Sequence, residues 1–184
     1  MATRWAFTIA ALTLAADVAG QTSERPPSIA IVAYNQAAVH SDTLARAKSE
    51  VTRIYREVGV AVTWMNSPVD PAGVFAIQLL LRRRPVNESG SVMGTAIGEV
   101  HETSGSAFVF YERVLKSAHE RQQDVARVLA YAMAHEIGHL LLPASADSPS
   151  GIMRSAWDGD DLRHIASGSL QLTALQADAI RAKA

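Results

Sequence analysis

The sequence predicts an α/β (α+β) fold, a mixed twisted sheet with a long helix on one face. Three observations predict it. Five short runs are rich in β-branched and aromatic residues, and two longer stretches repeat apolar residues at steps of three and four. Their order is strand, helix, four strands, then the second helical stretch, and a mixed sheet of this kind covers one face with its helices.

The elements follow in order along the chain. Arg4, the apolar run Trp5 to Ala16 and the small residues Val18-Ala19-Gly20 read as a signal peptide over residues 1–20. The alternative is a first core element. The run is shorter than the ~20 apolar residues a membrane span needs, and no cysteine follows it to carry a lipid anchor. Residues 21–28, polar and holding two prolines, form a flexible lead-in. A single domain is expected over residues 29–184.

Its first strand runs from Ser28 to Tyr34. From Ser41, read as an N-cap, Leu44, Ala47, Val51, Ile54, Tyr55 and Val58 mark one face of a helix that Gly59 stops. Val60 to Met65 and Phe75 to Leu81 are the next strands. Val92 to Val100 and Ser106 to Tyr111 complete the set, with Gly105 expected in the turn between them. Val125, Val128, Leu129, Ala132, Met133, Ile137 and Leu140 then define a helix from about Gln122 to Leu142, ended by Pro143. Thr173 with Gln176 forms a capping box for a last helix reaching Lys183.

Composition bounds the function. With 48% hydrophobic and 19% charged residues the chain is ordinary globular protein. A formal net charge of −1 provides no global field for nucleic acid or anionic membrane. The absence of cysteine removes disulfides, thiol catalysis and thiolate metal sites together.

The chemistry lies in the second helix, in the order H-E-x-x-H. His135 and His139 stand four residues apart, so their imidazoles point the same way one turn apart and can take two corners of a zinc tetrahedron. Glu136 falls one step round, beside such a metal, where it can act as general base and then acid for a zinc-activated water. The plain alternative is a chance match on an amphipathic helix.

His135 to Met153 resembles the metzincin zinc peptidases, whose signature H-E-x-x-H-x-x-G-x-x-H is followed by a Met-turn. Gly151-Ile152-Met153 resembles that turn, and Met153 follows His135 by 18 residues, as is common among matrix metalloproteases. The order of strands and long helix is similar too. The resemblance implies a metzincin-like fold with an active-site helix, a Met-turn and a C-terminal helix. It also implies Zn2+ as cofactor and Met153 as a packing floor under the metal.

Two departures stand out: Leu142 replaces the turn glycine and Ser145 the third histidine. No glutamate follows His139, so a downstream glutamate ligand of the gluzincin kind is absent. Asp147 is the first choice for third ligand, in a loop of small residues and proline that can bend back past the helix end. An aspartate has this role in snapalysin-like metzincins, at the signature's own position. His164, Asp178 and the Asp158/Asp160/Asp161 cluster are the other candidates, and a site with no third protein ligand stays open. An ordinary turn residue is the plain reading of Asp147.

Smaller features have plain readings as well. Ser155 stands where astacin-type enzymes carry a tyrosine, and Arg154 is a candidate to assist carbonyl polarisation. His101 reads as a structural histidine before a ligand. Trp157 to Asp161 reads as a solvated turn before a calcium site, and Arg82-Arg83-Arg84 as a solvated strand end before an acidic docking patch. The expectation is a secreted or periplasmic zinc metalloendopeptidase, monomeric, that takes peptides extended along an edge strand. It has neither a nucleic-acid partner nor a membrane span after signal cleavage. The rival is a non-catalytic zinc-binding or protein-interaction domain, a degenerate metzincin.

Overall fold

Residues 26–67, 74–84, 93–97, 103–143 and 147–184 are described by the computed structural model. The expected signal peptide, residues 21–25 of the lead-in, His101 and Ser145 lie outside them.

The five expected strands form one sheet. They are β1 (Ser28–Asn35), β2 (Ala61–Met65), β3 (Phe75–Arg82), β4 (Gly94–Ile97) and β5 (Ser104–Phe110), in the order β2-β1-β3-β5-β4. The first four in that order are mutually parallel, and β4 runs antiparallel to β5 at one edge. Helix α1 (Ser41–Glu57) carries the chain from β1 to its parallel neighbour β2. It starts with His40 at the cap and no side-chain bond there, so Ser41 is the first helical residue rather than the N-cap. Gly59, at φ +80°, ends it as expected.

One sheet face builds the core. Phe75, Ile77, Leu79 and Leu81 of β3 are buried, while Gln78 between them is exposed. In register, Leu79 lies between Ala33 of β1 and Ala107 of β5, and Ile77 between Ile31 and Gly105. Gly105 is therefore inside β5, a correction to the turn expected there. A Cβ on it would stand 2.8 Å from Leu140 Cδ2, so the missing side chain lets the next helix lie close to the sheet.

That helix, α3 (Val125–Leu141), buries thirteen of its seventeen residues. A helix apolar on nearly every side belongs in the centre of a domain. It packs on β5, β4 and β3 and against α1, where buried Tyr55 donates its hydroxyl proton to the Ala134 carbonyl at 2.9 Å. Asp124 caps its N-terminus by accepting from the Ala126 and Arg127 amides.

Two helices were not anticipated. α2 (Tyr111–Glu120) follows β5 without a break and buries only Val114 and Ala118, too thin a stripe to declare itself by periodicity. α4 (Gly159–Ser167) begins where a solvated turn was expected. Asp158 caps it and Asp161 closes a capping box, so the carboxylates of "WDGDD" serve the helix start. α5 (Ala174–Lys183) has the expected Thr173–Gln176 capping box.

Arg53 of α1 binds Glu50 at 2.8 Å and also donates to the Gly168 carbonyl at the C-cap of α4, at 3.0 Å. The bond from Arg53 holds the Glu50 carboxyl below its ordinary value of 4.5. A depressed carboxyl pKa gives stability that is present above the unfolded value and lost as pH falls through the folded one. The wild type should therefore lose this contribution as pH drops below about 4.5, and Glu50→Gln should flatten the dependence of melting temperature on pH in that window. The pair is partly solvated, so the expected effect is small. Melting curves between pH 6 and pH 3 measure it.

Candidate metal centre

The last two turns of α3 carry His135 and His139, both half-buried, and His135 borders a cavity. The two Nε2 atoms approach to 2.9 Å, and Asp147 Oδ1 lies 3.6 Å from His139 Nε2. The three residues each offer a ligand atom, all within 4.8 Å of one another. His164 is outside this cluster, exposed on α4, and Asp178 is paired with Arg181 on α5.

The donor set fits zinc. Ligands at ~2.0–2.2 Å in a tetrahedron stand about 3.3–3.6 Å apart; the 3.6 Å between His139 and Asp147 meets that spacing, and the 2.9 Å between the imidazoles is somewhat shorter. His135 Nδ1–H donates to the Ile152 carbonyl at 2.8 Å, which fixes the tautomer and leaves the Nε2 lone pair for a metal. Burial pushes the pKa of both imidazoles below the ordinary 6.5, so they are neutral at physiological pH and able to coordinate. At His139 the His135 ring lowers it further, and Asp147 acts in the opposite direction. The site also sits at the C-terminal, negative end of the α3 dipole, which favours a cation.

The path to Asp147 differs from a glycine turn. Leu142, buried, leaves the helix extended at φ −104° and ψ 157° and is followed by Pro143. The chain returns at Ser148, whose amide donates to the Met153 carbonyl at 2.8 Å and whose hydroxyl donates to the Ser150 carbonyl at 2.6 Å. Asp147 is thus held by a neighbour fixed within the loop.

Met153 is fully buried beneath α3. A Cβ on Gly138 would run into its sulfur and stand 3.1 Å from its methyl. Gly151 takes φ +79°, and any Cβ there would stand 2.5 Å from the Gln171 carbonyl oxygen, which accepts from the Ile152 amide at 3.0 Å.

Glu136 is buried, 3% exposed, and lies against the backbone of β4. A Cβ on Gly94 would stand 2.5 Å from its Cγ and Cδ. It borders a cavity of about 480 Å3 between α2 and the segment 154–157, with His135, Ala132 and Trp157 among the walls. Arg154 also lines this cavity, but its Nη1 is engaged by Asp158 at 2.6 Å and Asp161 at 2.8 Å.

Sequence reasoning missed Gly94, Trp157 and the α2 wall. A glycine inside a strand pattern signals a close approach, and Gly94 in "VMGTAIG" carried that signal. Nothing local marks Trp157.

No family model matches the chain, and no curated protein sequence does. Among solved structures it is similar to metalloproteinase-II from Bacteroides fragilis, with a TM-score of 0.45 and 15% identity. The match covers 84% of this chain and 51% of that one, so this chain spans about half its length.

Alanine for glycine inside a helix ordinarily stabilises by up to about 1 kcal/mol. At Gly138 the sign should reverse. Met153 has to move, at a cost of about 1–3 kcal/mol. A Gly138→Ala variant with a raised melting temperature would contradict this packing.

Proposed function

We propose that the chain is a zinc metallopeptidase that hydrolyses peptide bonds, with His135, His139 and Asp147 holding the metal and Glu136 as general base and acid. The observation that carries it is the convergence of three ligand atoms within 4.8 Å at one end of α3, with Glu136 on the same turn facing a cavity.

Zinc, when bound, supplies an acidified water and a polarised scissile carbonyl. The chain's own groups do the rest. His135, fixed through Nδ1, and His139 present neutral nitrogens, and Asp147 adds one negative charge. The Glu136 carboxylate takes a proton from the attacking water and passes it to the leaving nitrogen. Its seat against Gly94 keeps it beside the metal site and next to β4.

β4 is the last strand in the sheet order, so its outer edge has no strand partner among the described residues. An extended peptide pairing with that edge would pass directly over Glu136. The Gly151–Met153 segment, with Met153 buried under the helix, supports the reading of a metzincin-like Met-turn, although the ligand path is longer than in that signature. The basic start and apolar run at the N-terminus support export to the periplasm or outside the cell. No helix among the described residues is long and apolar enough to cross a membrane.

Three measurements test the proposal. Purified protein should contain about one zinc per chain and cleave members of a diverse peptide library, with chelation abolishing and zinc restoring activity. Glu136→Gln should keep the metal and lose about 10²–10⁴-fold in kcat/KM. Asp147→Ala should weaken zinc binding at least about tenfold. Stoichiometric zinc without cleavage of any peptide would assign the chain the binding role instead.

A separate prediction concerns the strand. Gly94→Ala should leave zinc content unchanged while lowering kcat by about tenfold or more, because Glu136 is displaced from its seat. Wild-type kcat in that variant would show that the seat has no part in turnover.

A further inference from the structure

We propose that Trp157 is a positioning residue for His135, acting through a backbone carbonyl that both side chains share. The inference rests on the reading of His135 as a metal ligand. The Ile152 carbonyl oxygen accepts from His135 Nδ1 at 2.8 Å and from Trp157 Nε1 at 3.2 Å. A carbonyl oxygen has two lone pairs, and here each has a ring N–H donor.

The carbonyl belongs to a peptide that is held on its other side too. The Ile152 amide donates to Gln171, and Gly151 before it closes on the same Gln171 oxygen. Trp157 therefore completes a frame in which the acceptor for His135 has one direction.

Ring packing adds a second restraint. The Trp157 indole meets His135 edge-to-face, with centroids 5.9 Å apart and planes at 89°. It meets Tyr131, one helical turn earlier, at 6.4 Å and 86°. The indole thus bridges two successive positions on one face of α3 and restricts rotation of the imidazole. Half-buried, it also forms part of the cavity wall beside Glu136. A side chain that fills the cavity meets the indole, and the indole reaches the ligand through one carbonyl. Cavity occupancy and His135 orientation are coupled by this contact.

The test compares variants that separate the N–H from the ring. Zinc dissociation constants are measured by competition with a chromophoric chelator for wild type, Trp157→Phe, Trp157→Ala and Trp64→Phe. Trp64 donates to Thr52 of α1 and serves as the control. Trp157→Phe keeps an aromatic ring but removes the donor, and about a three- to tenfold weaker affinity is expected. Trp157→Ala should lose more, toward the ~10–100-fold seen when outer contacts of metal ligands are removed. In metal-free protein, the His135 Nδ1 proton should exchange faster with solvent in Trp157→Phe than in wild type, as read by imidazole 15N-correlated NMR.

A Trp157→Phe protein that binds zinc within twofold of wild type, with an unchanged His135 proton signal, overturns the proposal. That outcome is decisive even if Trp157→Ala fails to fold. Should wild type itself bind no zinc, it is the metallopeptidase reading that falls, and the NMR arm still decides the contact between Trp157 and His135.

Discussion

The hydrogen bond from His135 Nδ1 to the Ile152 carbonyl is the contact on which the rest of the candidate centre depends. It settles three things together. The imidazole is fixed as the tautomer with its Nε2 lone pair toward His139 and Asp147. The loop after α3 is tied to the helix it leaves. Ile152 and Met153 are drawn under the helix, where both are fully buried. None of this works unless α3 is itself immovable, and its position in the core, pressed on the sheet at Gly105, supplies that. The fold therefore acts on the site through one helix and one returning segment.

The spacing of the proposed ligands is related to how the helix ends. A glycine at position 142 could turn at once in the left-handed region and deliver a ligand three residues later. Leu142 is buried and extended, and Pro143 commits the chain to leaving the helix. The next fixed point among the described residues is Ser148, whose amide reaches the Met153 carbonyl. The residue just before that fixed point is Asp147. An extended exit from the helix thus goes together with a carboxylate at position 147, whose Oδ1 stands 3.6 Å from His139 Nε2.

Much of the architecture was legible because it rests on local periodicity. The alternation in β3, the stripe on α1 and the four-residue spacing of His135 and His139 are all properties of short windows, and all five strands stand where expected to within a few residues. What escaped reading depends on contacts distant in sequence. Gly105 looked like a turn residue because glycine usually is one; only Leu140, packed over it, makes it part of a strand. α2 buries two side chains and leans on α3, so its helical character comes from tertiary contact more than from pattern. The aspartates of α4 looked like a polar turn because capping residues and turn residues are the same residues. At the candidate site, the spacing of His135, Glu136 and His139 is readable in a five-residue window. Asp147 could only be ranked above His164, Asp178, the Asp158/Asp160/Asp161 cluster and a site without a third ligand, since no local rule says which loop residue returns to a helix end.

Charge explains why these particular residues are compatible at one point. Glu136 and Asp147 bring two carboxylates to the end of a helix whose dipole is also negative there, and the two imidazoles between them are neutral. Such an arrangement repels itself unless a cation is part of it, and the two histidines offer lone pairs, which a proton-poor imidazole gives to a metal. The carboxylates are not equivalent. Asp147 is exposed and placed to coordinate, while Glu136 is almost wholly buried against the edge-strand backbone and faces the cavity. One environment suits a ligand delivered by a returning loop; the other suits a proton carrier whose position must not vary. This difference between the two acidic groups is one of burial, and a purely structural metal clip would have no use for a carboxylate held beside the metal rather than on it.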